Sequence, residues 1–171
     1  NRLERISFDA VRLLITDTRV VRSTKELVAR VSQQKEQDPT RVDAAFSMIQ
    51  HLSAEAKRLL RDSSLSRTDL ISSLSLLMDL NHLQLVQLQV GHAALEVVRR
   101  LCAERHLRAK LTGAGGGGCA ITLLKDNMSD AAIEELVLAM REQDFLTYET
   151  QVGGPGIGVL VHPNEHATNL G

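Results

Sequence analysis

The hydrophobic pattern changes period several times along the chain, and each change predicts an element. In "AVRLLITDTRV", Val11, Leu13 and Ile15 alternate with their neighbours, the period of a β-strand that buries one face. "RSTKELVARVSQQ" switches to helical spacing through Leu27, Val28 and Val31. Ser23 or Thr24 suits its N-cap, and Glu26 suits its first turn. "QDPT" interrupts the pattern, and Thr40 is placed to cap the next helix, whose stripe is Val42, Ala45, Phe46, Ile49, Leu52, Ala56, Leu59 and Leu60. After the polar "RDSSLSRTD", a strongly apolar helix runs from Asp69 through Leu70, Leu74, Leu77 and Leu80 to Leu88. Gly91 breaks it. "HAALEVVRRLCAERH" is the next helix, with Ala94, Val97, Val98 and Leu101 inward.

The rhythm then shortens. "LRAKLTG" and "CAITLL" are apolar runs separated by glycines, the pattern of a hairpin. "SDAAIEELVLAMREQ" is a helix capped by Ser129, with Ile133, Leu136, Val137 and Met140 as its stripe. "FLTYETQVG" reads as a strand, "GPG" as a turn, "IGVLVH" as a last short strand, and the tail from residue 163 as frayed. With the extra helices set aside, the order is a split βαββαβ. The expected fold is therefore α+β, a ferredoxin-like antiparallel sheet with several added helices. No repeat and no linker divides the chain, so residues 1–171 read as one domain.

Composition narrows the function classes. A net charge of −1 supplies no basic field to capture nucleic acid. No apolar run is long enough to span a bilayer. The first residues, "NRLERISF", lack the apolar region of a signal peptide and begin in mid-pattern without Met, so the expectation is a piece of a longer protein. Cys102 and Cys119 are too few for a disulfide framework. Both lie in apolar runs and are expected reduced and buried, in an intracellular protein with the cytosol as default and other organelles left open. Aromatic residues make up only 2% of the chain, which leaves the core to Leu, Val, Ile and Ala.

The candidate chemistry centres on "KLTGAGGGGCAITLL". A hairpin needs only two loop residues, yet here Thr112, Gly113, Ala114, Gly115, Gly116, Gly117 and Gly118 lie between the strands. Each glycine costs about 0.5–1 kcal/mol relative to alanine. That cost is tolerated where backbone must approach something closely, or where successive N–H groups form a nest for an anion; a turn that binds nothing is the plain alternative. A P-loop is excluded, because no Lys-Ser or Lys-Thr ends the motif. A dinucleotide fingerprint is excluded too, because a strand follows where a helix is required.

This stretch resembles the third conserved motif of the GHMP small-molecule kinases, and within them most closely the mevalonate kinases. "LLITDTRVVRSTKELV", "MDLNHLQLVQLQVGHAALEVV" and "ETQVGGPGIGV" resemble further segments of that family, so the likeness runs from Leu13 to Val161. It implies the C-terminal domain of a two-lobed enzyme that phosphorylates mevalonate with ATP and Mg²⁺, giving 5-phosphomevalonate for isoprenoid and sterol synthesis. The family's phosphate loop, catalytic Asp and Lys belong to an N-terminal lobe whose Ser-rich glycine pattern is absent from this sequence. No catalytic residue and no metal ligand is therefore expected in this chain, and the chain alone should be inactive. The partners implied are mevalonate, ATP and the N-terminal lobe, and a homodimer is left open. The resemblance gives the loop Thr112–Gly118 a place beside the phosphates and gives Arg22 the substrate carboxylate, which suits a guanidinium fork. It puts Thr24 near the same site, where a helix N-terminus also favours an anion. Read from the residues alone, Arg22 is a solvated surface arginine and Thr24 a helix cap. Other GHMP kinases (for phosphomevalonate, homoserine or a sugar) and a non-catalytic ligand-binding domain are the alternatives.

Other polar residues carry less. His92 reads as structural, holding a helix entry. Asp79, Asn81 and His82 read as a polar network that fixes helix packing rather than a metal site. Asp17 could face the cleft. Arg99, Arg100, Arg105, Arg108 and Lys110 read as a solvated basic face, since no aromatics interleave to stack bases.

Overall fold

In the computed structural model, residue 6 and residues 8–153 are described. The expected turn at "GPG", the last short strand and the frayed tail lie outside the described residues.

Four strands, β1 (Val11–Asp17), β2 (Arg108–Leu111), β3 (Cys119–Leu123) and β4 (Leu146–Val152), form one sheet in the order β2-β3-β1-β4. Every pairing is antiparallel. Helices α1 (Thr24–Gln37), α2 (Pro39–Arg61), α3 (Arg67–Gln87) and α4 (Ala93–Ala103) connect β1 to β2, and α5 (Asp130–Arg141) connects β3 to β4. This is the expected ferredoxin-like sheet, with three helices more than the simple split βαββαβ needs.

β1 lies between β3 and β4, with Ile15 opposite Ile121 on one side and Tyr148 on the other. The alternation in sequence assigned it one apolar face, but both of its faces are covered. Leu14 and Thr16, on the side the pattern treated as polar, are 1% and 0% exposed. Leu14 meets Leu95 and Val98 of α4 and Leu136 and Met140 of α5 in the main core. On the other face Val11 and Leu123 pack against Ile71, Leu74 and Met78 of α3. A cavity of about 350 Å³ remains beneath α2 and α3 on that side.

Side-chain caps fix the helix starts. Ser23, Ser66 and Ser129 cap α1, α3 and α5. The cap of α2 is Asp38, not Thr40: its carboxylate accepts the Arg41 N–H at 3.0 Å, and Pro39 opens the helix. Proline lacks only an N–H that the first turn cannot use, so the break read at "QDPT" is a near-continuous joint. Three stripe positions face outward: Val28 is 58% exposed, Phe46 44% and Leu80 37%. Periodicity names a face, but only the neighbouring elements decide how much of it is covered.

Cys102 is buried, with its Sγ 3.2 Å from Thr122 Oγ1. Burial pushes its thiol up to about 11. Cys119, expected buried, is half-buried, because it opens β3 beside the loop. The basic face is not uniformly solvated. Arg99 bonds both Asp79 and Glu96, and burial lowers the Lys110 ammonium below its usual range.

Leu136 and Leu76 provide a matched test of this architecture. Leu136→Ala should cost about 2–5 kcal/mol, as a fully buried leucine does. Leu76→Ala, at a position 59% exposed, should change stability by no more than about 0.5 kcal/mol. Urea unfolding of both variants measures the difference.

Candidate functional site: the glycine loop and the β1–α1 turn

The loop between β2 and β3 closes on a backbone bond from Thr112 N to Cys119 O, 2.9 Å. It is tied down at two further points. Gly116 N donates to Val90 O in the α3–α4 turn at 2.8 Å. The Gly118 carbonyl accepts both the amide of Thr18 at 2.9 Å and its hydroxyl at 2.8 Å. Thr18 is 5% exposed and follows the last residue of β1. That double bond fixes where the chain leaves the sheet.

The chain then turns at Arg19, whose N–H donates to Asp17 Oδ1 at 2.9 Å and whose guanidinium pairs with Asp144. Asp17 thus helps to build the turn. Four residues past Thr18, the Arg22 Nη1 donates to the carbonyl of Gly117 at 3.0 Å. The two segments that sequence singled out as a glycine loop and an Arg-Thr pair are therefore in direct contact. Thr24 is the first residue of α1 and is exposed, while Ser23 caps the helix by accepting the Glu26 N–H. Val21, between these segments, is 96% exposed.

Close approach explains the glycines at two positions in particular. A Cβ on Gly118 would stand 1.7 Å from Arg22 Nη1, and a Cβ on Gly115 would stand 2.1 Å from the Val90 carbonyl oxygen. Both have positive φ, +69° and +84°, a region costly for any residue with a Cβ. The loop is a packed structure, not a loose turn.

Behind the loop lies a polar cluster. His82 of α3 is fully buried, with its Nε2 2.8 Å from Glu96 Oε1 and its Nδ1 accepting the Leu111 N–H at 3.3 Å. Arg99 joins Glu96 to Asp79, and Arg108 approaches Asp79 at 3.5 Å. Asp79 and His82 thus form the packing network expected of them, while Asn81 lines the apolar cavity instead. His92 caps α4, its Nδ1 accepting the Ala94 N–H at 3.1 Å, in keeping with a structural role. Sequence reasoning did not single out Thr18 or Val90 for the site. Thr18 adjoins Asp17, which sequence did note, and Val90 is recognisable only once α3 and the loop meet.

No group of three or more His, Cys, Asp or Glu among the described residues is arranged to hold a metal ion. No helix of the described residues is long and apolar enough to cross a membrane.

A ferredoxin-like sheet carrying this loop defines a class. Residues 64–142 match the family described as GHMP kinases C terminal. Among curated proteins, the mevalonate kinase of Candida albicans is 37% identical over 157 residues, covering 91% of this chain and 36% of that protein. The mevalonate kinase of Mus musculus is 37% identical over 152 residues, covering 88% and 38%. The chain thus spans little more than a third of the length of these relatives. Among solved structures, L. major mevalonate kinase in complex with R-mevalonate superposes with a TM-score of 0.75 at 24% identity, over 89% of this chain and 45% of that one. Streptococcus pneumoniae phosphomevalonate kinase, in complex with phosphomevalonate and AMPPNP, gives 0.63 at 16%, over 87% and 42%. These two likenesses are of fold.

Gly118→Ala should break the Arg22 contact and cost on the order of 1–3 kcal/mol. Gly91→Ala should be mild, since a Cβ there would stand 3.7 Å from Val86 Cγ2, an ordinary contact. Equal losses for the two variants in urea unfolding would contradict the packed-loop geometry.

Proposed function

We propose that this chain is the C-terminal half of a mevalonate kinase, an enzyme that moves the γ-phosphoryl group of ATP to the primary hydroxyl of mevalonate. The observation that carries the reading is Arg22 seated on the glycine loop through its bond to the Gly117 carbonyl. Five N–H donors project from a guanidinium, so anchoring Nη1 leaves a fork held in place for a carboxylate. Thr24 adds a hydroxyl at the N-terminus of α1, where the helix dipole favours an anion.

The loop's part is close approach. In this reading the backbone amides of Gly113–Gly115 are offered to a phosphate, while those of Thr112 and Gly116 serve the fold. The described residues fit an anion here but not a Mg²⁺ ion, since no acidic cluster stands at the loop. Bound ATP and Mg²⁺ would supply the phosphoryl group and neutralise its charge. The reading assigns their main contacts, and the catalytic base, to an N-terminal lobe. The role of Arg22, Thr24 and the loop is to orient mevalonate against that lobe, and the bare Val21 beside them suits a surface meant to be covered.

Two outcomes test this. The 171-residue chain alone should give no ATP-dependent phosphorylation of mevalonate in a coupled assay. In the full-length protein, Arg22→Ala should raise KM for mevalonate about ten- to a hundredfold, the worth of one hydrogen-bonded charge pair. KM for ATP should move by less than about twofold. An unchanged KM for mevalonate, with turnover on another substrate of the GHMP class, would transfer the assignment to that substrate.

A further inference from the structure

Leu111 is the last residue of β2, and β2 is an edge strand. Thr112 N bonds Cys119 O, so Leu111, opposite Ala120, is in a non-hydrogen-bonded position and its N–H points away from the sheet. Leu111 is 1% exposed, so water cannot readily serve that amide. Its acceptor is Nδ1 of His82, from a helix separated from β2 by the 20 residues 88–107. One residue further along the chain, the glycine loop starts.

We propose that His82 is the positioning residue of the glycine loop, holding the outer edge of β2 through the Leu111 amide, and that it releases this hold when its ring is protonated. The geometry fixes the tautomer. Nδ1 accepts from Leu111, so the proton sits on Nε2 and is donated to Glu96. A second proton would go onto Nδ1, the atom that faces an N–H, turning an acceptor into a repelling donor. The loop is pinned close by through Gly116 to Val90, in the turn that α3 leads into. A movement of α3 against β2 therefore reaches the loop at both of its supports.

The groups facing the ring are Asp79 on its own helix, Glu96 and Arg99 on α4, and Arg108 on β2, which pairs with Asp79. Burial, which outweighs the pull of Glu96, lowers the affinity of the ring for its second proton; Arg99 adds to the lowering. The unfolded chain holds that proton more tightly than the folded one. The hold is therefore complete above the ordinary histidine range and is lost as pH falls through the lowered folded value. Its significance for catalysis rests on the function proposed above, but its effect on the loop does not.

The test is amide hydrogen exchange on the ¹⁵N-labelled chain without substrate, with protection factors corrected for intrinsic rates. As pH falls from about 7.5 to about 4.5, through the lowered range of the ring, Leu111 and Gly116 should lose about tenfold in protection. His82→Gln keeps an uncharged acceptor and donor. It should preserve Leu111 protection near neutrality and flatten the pH dependence. His82→Leu should leave Leu111 weakly protected at every pH. Imidazole ¹⁵N shifts should report the Nε2–H tautomer in the wild type. Parallel loss in wild type and His82→Gln would overturn the proposal, because His92 or a carboxylate would then be the trigger. An Nδ1–H tautomer near neutral pH would overturn it as well.

Discussion

One carbonyl oxygen sets the geometry of the site. Gly118 O takes two hydrogen bonds from Thr18, and so joins the exit of the central strand to the far end of the glycine loop. Remove that joint and the Arg19–Ser23 segment has no fixed direction. With it, the chain turns over the loop and Arg22 comes down on Gly117. The bond is buried, and both of its donors come from one residue, which makes it stiff as well as strong.

The rest of the fold keeps that joint still. β1 is flanked by strands on both sides, with one face buried and the other partly covered, which holds its end in place. α4 and α5 fill one face with Leu95, Val98, Leu136 and Met140. α3 covers part of the other face, and its His82 reaches around the β2 edge to meet Glu96 of α4. Burial works to raise the Glu96 carboxyl, but bonds from His82 and Arg99 outweigh it and keep the group ionised. Among a largely aliphatic core these few polar bonds supply direction, which apolar packing alone does not.

Much of this was legible in the residues. Strand and helix order followed from the change of period, Ser129 marked the start of α5, and Ser23 was one of two caps offered for α1, while Ser66, the cap of α3, was read as loop. The glycine run announced close approach because no simple hairpin needs it. What was not legible depended on distant partners. β1 looked one-faced because Thr16 is polar, yet that residue sits under the helices with no partner for its hydroxyl among the described residues. Arg99 looked solvated because Asp79 lies 20 positions away. Pro39 looked like a break because the pattern could not show that Asp38 would cap the helix behind it. The contact between Arg22 and the loop spans 95 positions, and only the sheet register brings those positions together.

The packed glycine loop also shapes how this protein can vary over time. Any amino-acid replacement of a glycine adds at least a methyl group, so Gly115 and Gly118 have no conservative neighbours in sequence space. Variation at the site must enter through the partners instead: by moving Arg22 at Gly118, whereas the Val90 carbonyl at Gly115 is backbone and only a shift of the α3–α4 turn relieves it. Such changes are paired by nature, and each half alone is a loss. Divergence in this corner of the fold should therefore be slow and stepwise, while the outward face of α3 drifts with little resistance.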